Sequence, residues 1–212
     1  NSGLKKRFFE FKDGMKKGLA ALGIDCPCYI LKADGGTIPF VNACDFPCQS
    51  IHSGPSASVM GALALVGGDG DAILLDIGGT TTDIGLFADG IPLLEPYGAT
   101  VAGRPTLIRA LQTRSVGLGG DSRVLWQDGG FHIGPERQGP PMALGGSVPT
   151  PTDAMIVQGS IEAGSRARAD EAMRMLCPDR DTAETATALL QCFAERVHEK
   201  VDEMIEEVFS RP

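Results

Sequence analysis

No stretch of the chain approaches the ~18 consecutive apolar residues that a bilayer-spanning helix needs. The N-terminus, NSGLKKRFFEF, lacks the basic, apolar and small-residue regions of a secretory signal, and it lacks an initiator Met. We therefore expect a cytoplasmic protein, and a piece cut from a longer one. Basic residues are in the minority, 19 Lys and Arg against 27 Asp and Glu for a net charge of -8. That balance disfavours a non-specific grip on nucleic acid or on an anionic membrane, so neither is expected as a partner, whereas small-molecule ligands remain open. No internal repeat is visible, and the one biased segment is a Pro/Gly-rich loop at 134–153.

Cysteine is present but badly spaced for a structural metal. Six are found, among them Cys26-Pro27-Cys28 and Cys44-Asp45-Phe46-Pro47-Cys48. Structural zinc favours knuckles with two to four intervening residues, and only the second pair fits. Cys28 instead heads an apolar, strand-like run, so reduced, mostly buried, metal-free thiols are the expectation. The three histidines, His52, His132 and His198, read as solvated or structurally bonded side chains.

What is present is enough for a real core: 212 residues, 42% hydrophobic, sufficient for one large domain or two small ones. Leu4, Phe8, Phe11, Met15, Leu19 and Leu22 recur every three or four residues before Gly23, predicting an amphipathic helix over 3–22. CYILKA (28–33) predicts a strand and DGGT (34–37) a turn. SGPSASVMGALAL predicts a slim helix over 54–66, capped by Ser53 or Gly54. DAILLDIG predicts a strand buried on both faces, and IGLFADGIPLL a hairpin turned by Asp89-Gly90. Residues 71–133 are expected to form one mixed sheet, with Gly119-Gly120 as a loop and Asp128-Gly129-Gly130 as a further turn. The last ~50 residues turn helical: Asp181 to Glu184 has the form of a capping box, and Leu189, Phe193, Val197, Val201 and Ile205 step by four. Asp153 reads either as a substrate-side carboxylate or as a helix cap.

The densest chemical signal is LLDIGGTTTDI (74–84), two glycines and three threonines between two aspartates. Phosphate oxygens need several converging donors. Gly78 and Gly79 let backbone N–H groups approach without a Cβ in the way, and Thr80, Thr81 and Thr82 add hydroxyl and amide donors. A carboxylate at a strand end can hold Mg²⁺ or its waters, and Asp76 is placed for that. No Lys lies in the loop, so it is not a Walker A motif. The plainer alternative is a Gly-Thr turn whose threonines merely favour strand geometry.

The pattern strand, Asp-x-Gly-Gly-Thr-Thr-Thr-Asp, strand resembles the second phosphate loop of the actin, sugar-kinase and heat-shock-chaperone ATPases. SGPSASVMGALAL is similar to their small-residue connecting helix, and VGLGGDS (116–122) falls where another Gly-Gly loop faces nucleotide. More closely, KADGGTIPF, SGPSASVMGA, DIGGTTTDI, DG, SVGLGGDS, GP and PTPTDA follow one another as in the hydantoinase A / 5-oxoprolinase family, over roughly residues 28–160. The resemblance implies an α/β, ribonuclease-H-like fold of the actin/hexokinase type, present in part. Residues 1–66 would be the end of a first lobe with the connecting helix, and 67–212 a second lobe. It implies ATP and Mg as cofactors and a hydantoin- or 5-oxoproline-like substrate. The amide oxygen would take the γ-phosphoryl group before water opens the ring. Asp76 and Asp83 are then the catalytic carboxylates, with Asp76 also the metal ligand. Nucleotide falls to Gly78, Gly79, Thr80, Thr81, Thr82, Gly119, Gly120, Asp121 and Ser122. Expected partners are the remainder of the polypeptide and a second, hydantoinase B-type subunit.

The chain departs from that pattern in two places. Gln112 and Arg114 stand where typical members carry Asp-x-His, and GPPMALGG (139–146) replaces PGPACYG. The first phosphate loop and the later adenosine-flanking Gly-Gly segment are not found, so the fragment alone is expected to be inactive. Two rivals follow: a small-molecule kinase of the same superfamily, and a nucleotide-responsive interaction module that does no chemistry.

Overall fold

The computed structural model describes residues 2–101 and 103–210. Its backbone divides into two units, residues 1–74 with 85–113 and residues 75–84 with 114–212.

In the first unit, α1 (Ser2–Ala21) follows the apolar period, and Gly23 ends it at φ 68, a left-handed geometry that glycine adopts without strain. Its stripe is only partly covered. Phe11 meets Phe40 edge-on at 6.2 Å and Lys12 Nζ donates to Val41 O at 3.0 Å, but Phe9, Met15 and Leu22 stay exposed. β1 (Tyr29–Leu31) and β2 (Thr37–Pro39) form an antiparallel hairpin across the DGGT turn. There Asp34 accepts from Gly36 N at 3.0 Å and from Lys32 Nζ at 3.1 Å.

Helix α2 (Ser53–Val66) is not capped by Ser53 or Gly54 as expected. Its N-cap is His52, held at φ 62 with no side-chain cap bond. The first turn is anchored instead by Ser56, whose buried hydroxyl donates to Ala33 O at 2.6 Å. The close approach is made by a glycine of the facing strand, not by the small residues of α2: a methyl added at Gly85 would sit 2.7 Å from Val59 Cγ2, whereas Gly54 and Gly61 have nothing within 4 Å.

Strand β3 (Ala72–Ile77) leads through the glycine-threonine loop into β4 (Thr82–Ala88), which pairs with β5 (Ile91–Pro92). The turn between β4 and β5 has Asp89 at φ 49 and Gly90 at φ 74, the left-handed pair of a type I′ hairpin. The expectation that β3 is buried on both faces is overturned: Ile73, Leu75 and Ile77 are 48%, 43% and 53% exposed. An apolar run reports composition, not cover. The last turn of α2 stands off β3, leaving a hollow of about 210 Å³ in place of a packed layer. β6 (Thr100–Val101) and β7 (Arg104–Pro105) make a minimal hairpin. β8 (Thr113–Val116) pairs with β4.

In the second unit, β9 (Ser122–Gln127) and β10 (Gly130–Arg137) are joined by a second type I′ turn, Asp128 at φ 54 and Gly129 at φ 79. The expected single sheet over 71–133 is, among the described residues, three small ones. Pro92 and Pro105 withhold ladder donors, and Gly98 and Gly103 turn the chain, so the strands between them stop at two residues. Against β9 and β10 pack α3 (Pro151–Gln158), α4 (Arg166–Leu176) and α5 (Thr182–Phe209). Val124, Met173, Ala186, Leu189, Phe193 and Val197 form the shared core, each large apolar side chain contributing about 1.5–3 kcal/mol on burial. Half of the expected box starts α5: Asp181 accepts from Ala183 N at 2.9 Å and Glu184 N at 3.2 Å, with no return bond from Glu184 among the described residues.

Candidate phosphate site

The loop between β3 and β4 is closed by Gly78 N donating to Thr81 O at 2.9 Å. A second loop, Leu118 to Ser122, docks on it backbone to backbone. Gly120 N donates to Gly78 O at 2.9 Å and Asp121 N to Gly79 O at 2.8 Å. The approach is so close that a methyl at Gly119 would lie 2.6 Å from Gly79 C, Gly79 O and Thr80 C. Glycine at 119 is thus a packing requirement. Thr82, fully buried, donates its hydroxyl to Leu118 O at 2.7 Å, and Ser122 Oγ accepts from Gly119 N at 2.9 Å. A third element joins through Thr152 N, which donates to Gly120 O at 2.8 Å.

These bonds sort the residues assigned from sequence. The amides of Gly120 and Asp121 and the hydroxyl of Thr82 are engaged in holding the two loops together, while the amides of Gly78, Gly119 and Ser122 donate within their own loops. Among the described residues, the amides of Gly79, Thr80 and Thr81 and the hydroxyls of Thr80 and Thr81 donate to no protein acceptor, and Thr80 is exposed. Asp76 is exposed one residue before Ile77. Asp83 is half-buried, and its Oδ1 is buried with no hydrogen-bond partner among the described residues.

Beside the paired loops opens a cleft of about 570 Å³, bordered by Gly78, Gly79, Gly120, Asp121 and Thr152, with Met155, Leu190 and Phe193 as apolar wall. The Asp121 carboxylate lies against Gly79. It pairs with the Arg137 guanidinium at 2.7 Å and accepts from Thr152 Oγ1 at 3.5 Å. Sequence reasoning missed Thr152 and Arg137. Thr152 lay within PTPTDA, but only its acidic neighbour was weighed; nothing local marks Arg137.

Asp153 is a cap. Fully buried, it accepts from Thr150 N, Thr150 Oγ1, Met142 N and Ala143 N, and with Thr150 it completes a capping box. The amides that open α3 are therefore spent within the protein and offer nothing to an anion.

At the departures, Gln112 is buried, its backbone N–H donating to Leu93 O at 2.7 Å. Arg114 forms ion pairs with Glu203 at 3.5 Å and with Glu207 on α5. Lys200, ahead of Arg114, holds the Glu203 carboxyl below its ordinary value. Of the histidines, His52 Nε2 lies 3.3 Å from Thr100 O, His132 is exposed, and His198 Nδ1 lies 3.1 Å from Asp202. No group of three or more His, Cys, Asp or Glu side chains converges as a metal cage, and no helix is long and apolar enough to cross a membrane, among the described residues.

The chain is similar to two uncharacterized proteins of Schizosaccharomyces pombe, at 33% identity over 62% of the chain and 31% over 71%. It is 30% identical to the 5-oxoprolinase of Saccharomyces cerevisiae over 65% of its length. It spans only 11%, 12% and 11% of those three relatives. In fold it matches the nucleotide-free structure of acetone carboxylase, an enzyme of ATP-dependent acetone carboxylation. The TM-score is 0.78 and the identity 21%, over 92% of this chain and 30% of that one. The fold of this chain is mixed α/β with small sheets. The family model described as hydantoinase/oxoprolinase matches residues 1–210, and the chain belongs to the hydantoinase/oxoprolinase family.

Proposed function

We propose that this chain is part of an ATP-dependent enzyme that activates and opens a cyclic amide, with residues 1–66 ending a first lobe and 67–212 contributing a second lobe of the actin/hexokinase type. The carrying observation is the set of disengaged donors at 79–81 on a loop whose shape is fixed by its neighbour. Fixed, unspent amides and hydroxyls suit phosphate oxygens, because no reorganisation is needed when charge arrives. The names of two similar proteins, 5-oxoprolinase and the ATP-dependent acetone carboxylase, support the same reading.

When bound, Mg·ATP supplies the phosphoryl group that makes an amide oxygen a leaving group, and the cation that offsets its charge. Asp76 is the residue we assign to that cation. Asp83, with an unsatisfied oxygen, suits a donor or cation arriving beside the loop. Asp121 faces the cleft as a carboxylate, so Arg137 at 2.7 Å keeps that wall from repelling an anion.

The test is made in the full-length protein. Asp76→Ala should abolish Mg-dependent, substrate-stimulated ATP turnover. Thr81→Val should keep turnover but weaken nucleotide by about 1–3 kcal/mol, the range for a hydrogen bond to a charged partner. Turnover unchanged in Asp76→Ala would sink the assignment. Ring-opened acid with ADP and phosphate marks the hydrolase; a stable phosphorylated product marks a kinase. One observation favours a non-catalytic, nucleotide-responsive module: Arg114, at a departure from the family pattern, is tied to Glu203 and Glu207. Nucleotide binding without substrate-dependent phosphate release would select it.

A further inference from the structure

Of the cysteine pairs, one is set apart by the fold. Cys26 and Cys28 both line a hollow of about 460 Å³ between the end of α1 and the β1–β2 hairpin, whereas Cys44 and Cys48 do not border it. The chain bends at Cys26, and Pro27 fixes the backbone between the two thiols. Cys28 is anchored on the hairpin, its carbonyl accepting from Phe40 N at 2.9 Å, and its Sγ turns back to within 3.4 Å of Cys26 O. Both side chains therefore point to one side of a stiff two-residue step.

We propose that Cys26-Pro27-Cys28 is a chelating dithiol site for a soft monovalent cation, Cu(I). Thiolate ligands select soft ions, and a closed-shell monovalent ion is satisfied by two sulfurs. Zinc needs four ligands, and no third Cys, His or carboxylate joins this pair in a cluster among the described residues. On binding, two S–H protons leave to solvent and two S–Cu bonds form with no change of oxidation state, so the thiolate pair and Cu(I) carry one net negative charge. The hollow carries one charge of each sign besides the thiols, Lys16 and Asp25, and Leu19, Ile24, Phe40 and Val41 supply an apolar wall that limits water at the ion.

The experiment is an anaerobic competition for Cu(I) between the fully reduced protein and the chromogenic chelator bathocuproine disulfonate, with circular dichroism confirming the fold of each variant. Wild type should withdraw one equivalent, and Cys26→Ser and Cys28→Ser should each lose affinity by more than about tenfold. Cys44→Ser and Cys48→Ser should bind as wild type does. The proposal is overturned if wild type withdraws no copper, if Cys28→Ser binds unchanged, or if Cys44→Ser or Cys48→Ser loses as much.

Discussion

Substituting Ala at Gly119 tests the interlock of the two loops directly. No unusual φ is involved at this position, so the added methyl acts by volume alone. It would sit 2.6 Å from Gly79 C, Gly79 O and Thr80 C, all backbone atoms that no rotamer change can move. The loops must separate, stretching Gly120 N to Gly78 O and Asp121 N to Gly79 O, now 2.9 and 2.8 Å. Overpacking costs about 1–3 kcal/mol, and each hydrogen bond lost about 0.5–1.5, so the whole is about 2–6 kcal/mol. That is a fall of roughly 30-fold or more in the folded-to-unfolded ratio. The single tryptophan, Trp126, packs 4.7 Å from Phe131 in the same unit and reports its unfolding by fluorescence. The urea midpoint should drop by about 1 M or more for a slope of about 2 kcal/mol per M. An unshifted midpoint, with nucleotide affinity in the full-length protein also unchanged, would refute the interlock as the reason for glycine here.

Thr82→Val keeps shape but strands the Leu118 carbonyl, and should cost about 1–3 kcal/mol by the same fluorescence titration. Asp153→Ala removes the acceptor of four donors and the cap of α3; a loss of at least about 2 kcal/mol is expected, with Asp153→Asn milder. Gly18→Ala in α1 meets nothing within 4 Å, so it should raise the stability of the first unit by up to about 1 kcal/mol, read by thermal circular dichroism. At Asp34, burial alone would raise the carboxyl, but the Gly36 amide and the Lys32 ammonium hold it below its ordinary 3.8. The unfolded chain then binds the proton more tightly, so the stabilisation is present above pH 3.8 and lost as pH falls below it. Asp34→Asn should flatten the acid limb of first-unit stability against pH, and an unchanged limb would rule the residue out.

Local order was legible where one residue type decides it. Both Asp-Gly turns, the glycine that ends α1 and the apolar face of α5 from Leu189 to Val201 follow from backbone preference or helical period, and each formed as read. The glycines of the two loops were legible as loops, but not as partners. Their docking joins residues about forty apart, and glycine's freedom at 78–79 looks the same whether it admits a phosphate or another backbone. The same limit hid Arg137, whose partner Asp121 lies on the facing strand's lead-in. Asp153 was ambiguous for a different reason: a cap and a catalytic carboxylate use the same short side chain. Only its four donors separate the two.

Strand β3 has consequences for handling the protein. It lies at one end of its sheet's strand order and carries Ile73, Leu75 and Ile77 in the open, with Asp76 its one charge and no lysine or proline along its six residues. Such an edge is a template for any extended apolar segment that meets it, and the rate of that encounter rises with concentration. Preparations of residues 1–212 should therefore cloud on concentrating well before they unfold on heating. Exchanging Leu75 for lysine, a charge on the exposed strand, should raise the concentration limit while leaving the melting temperature in place.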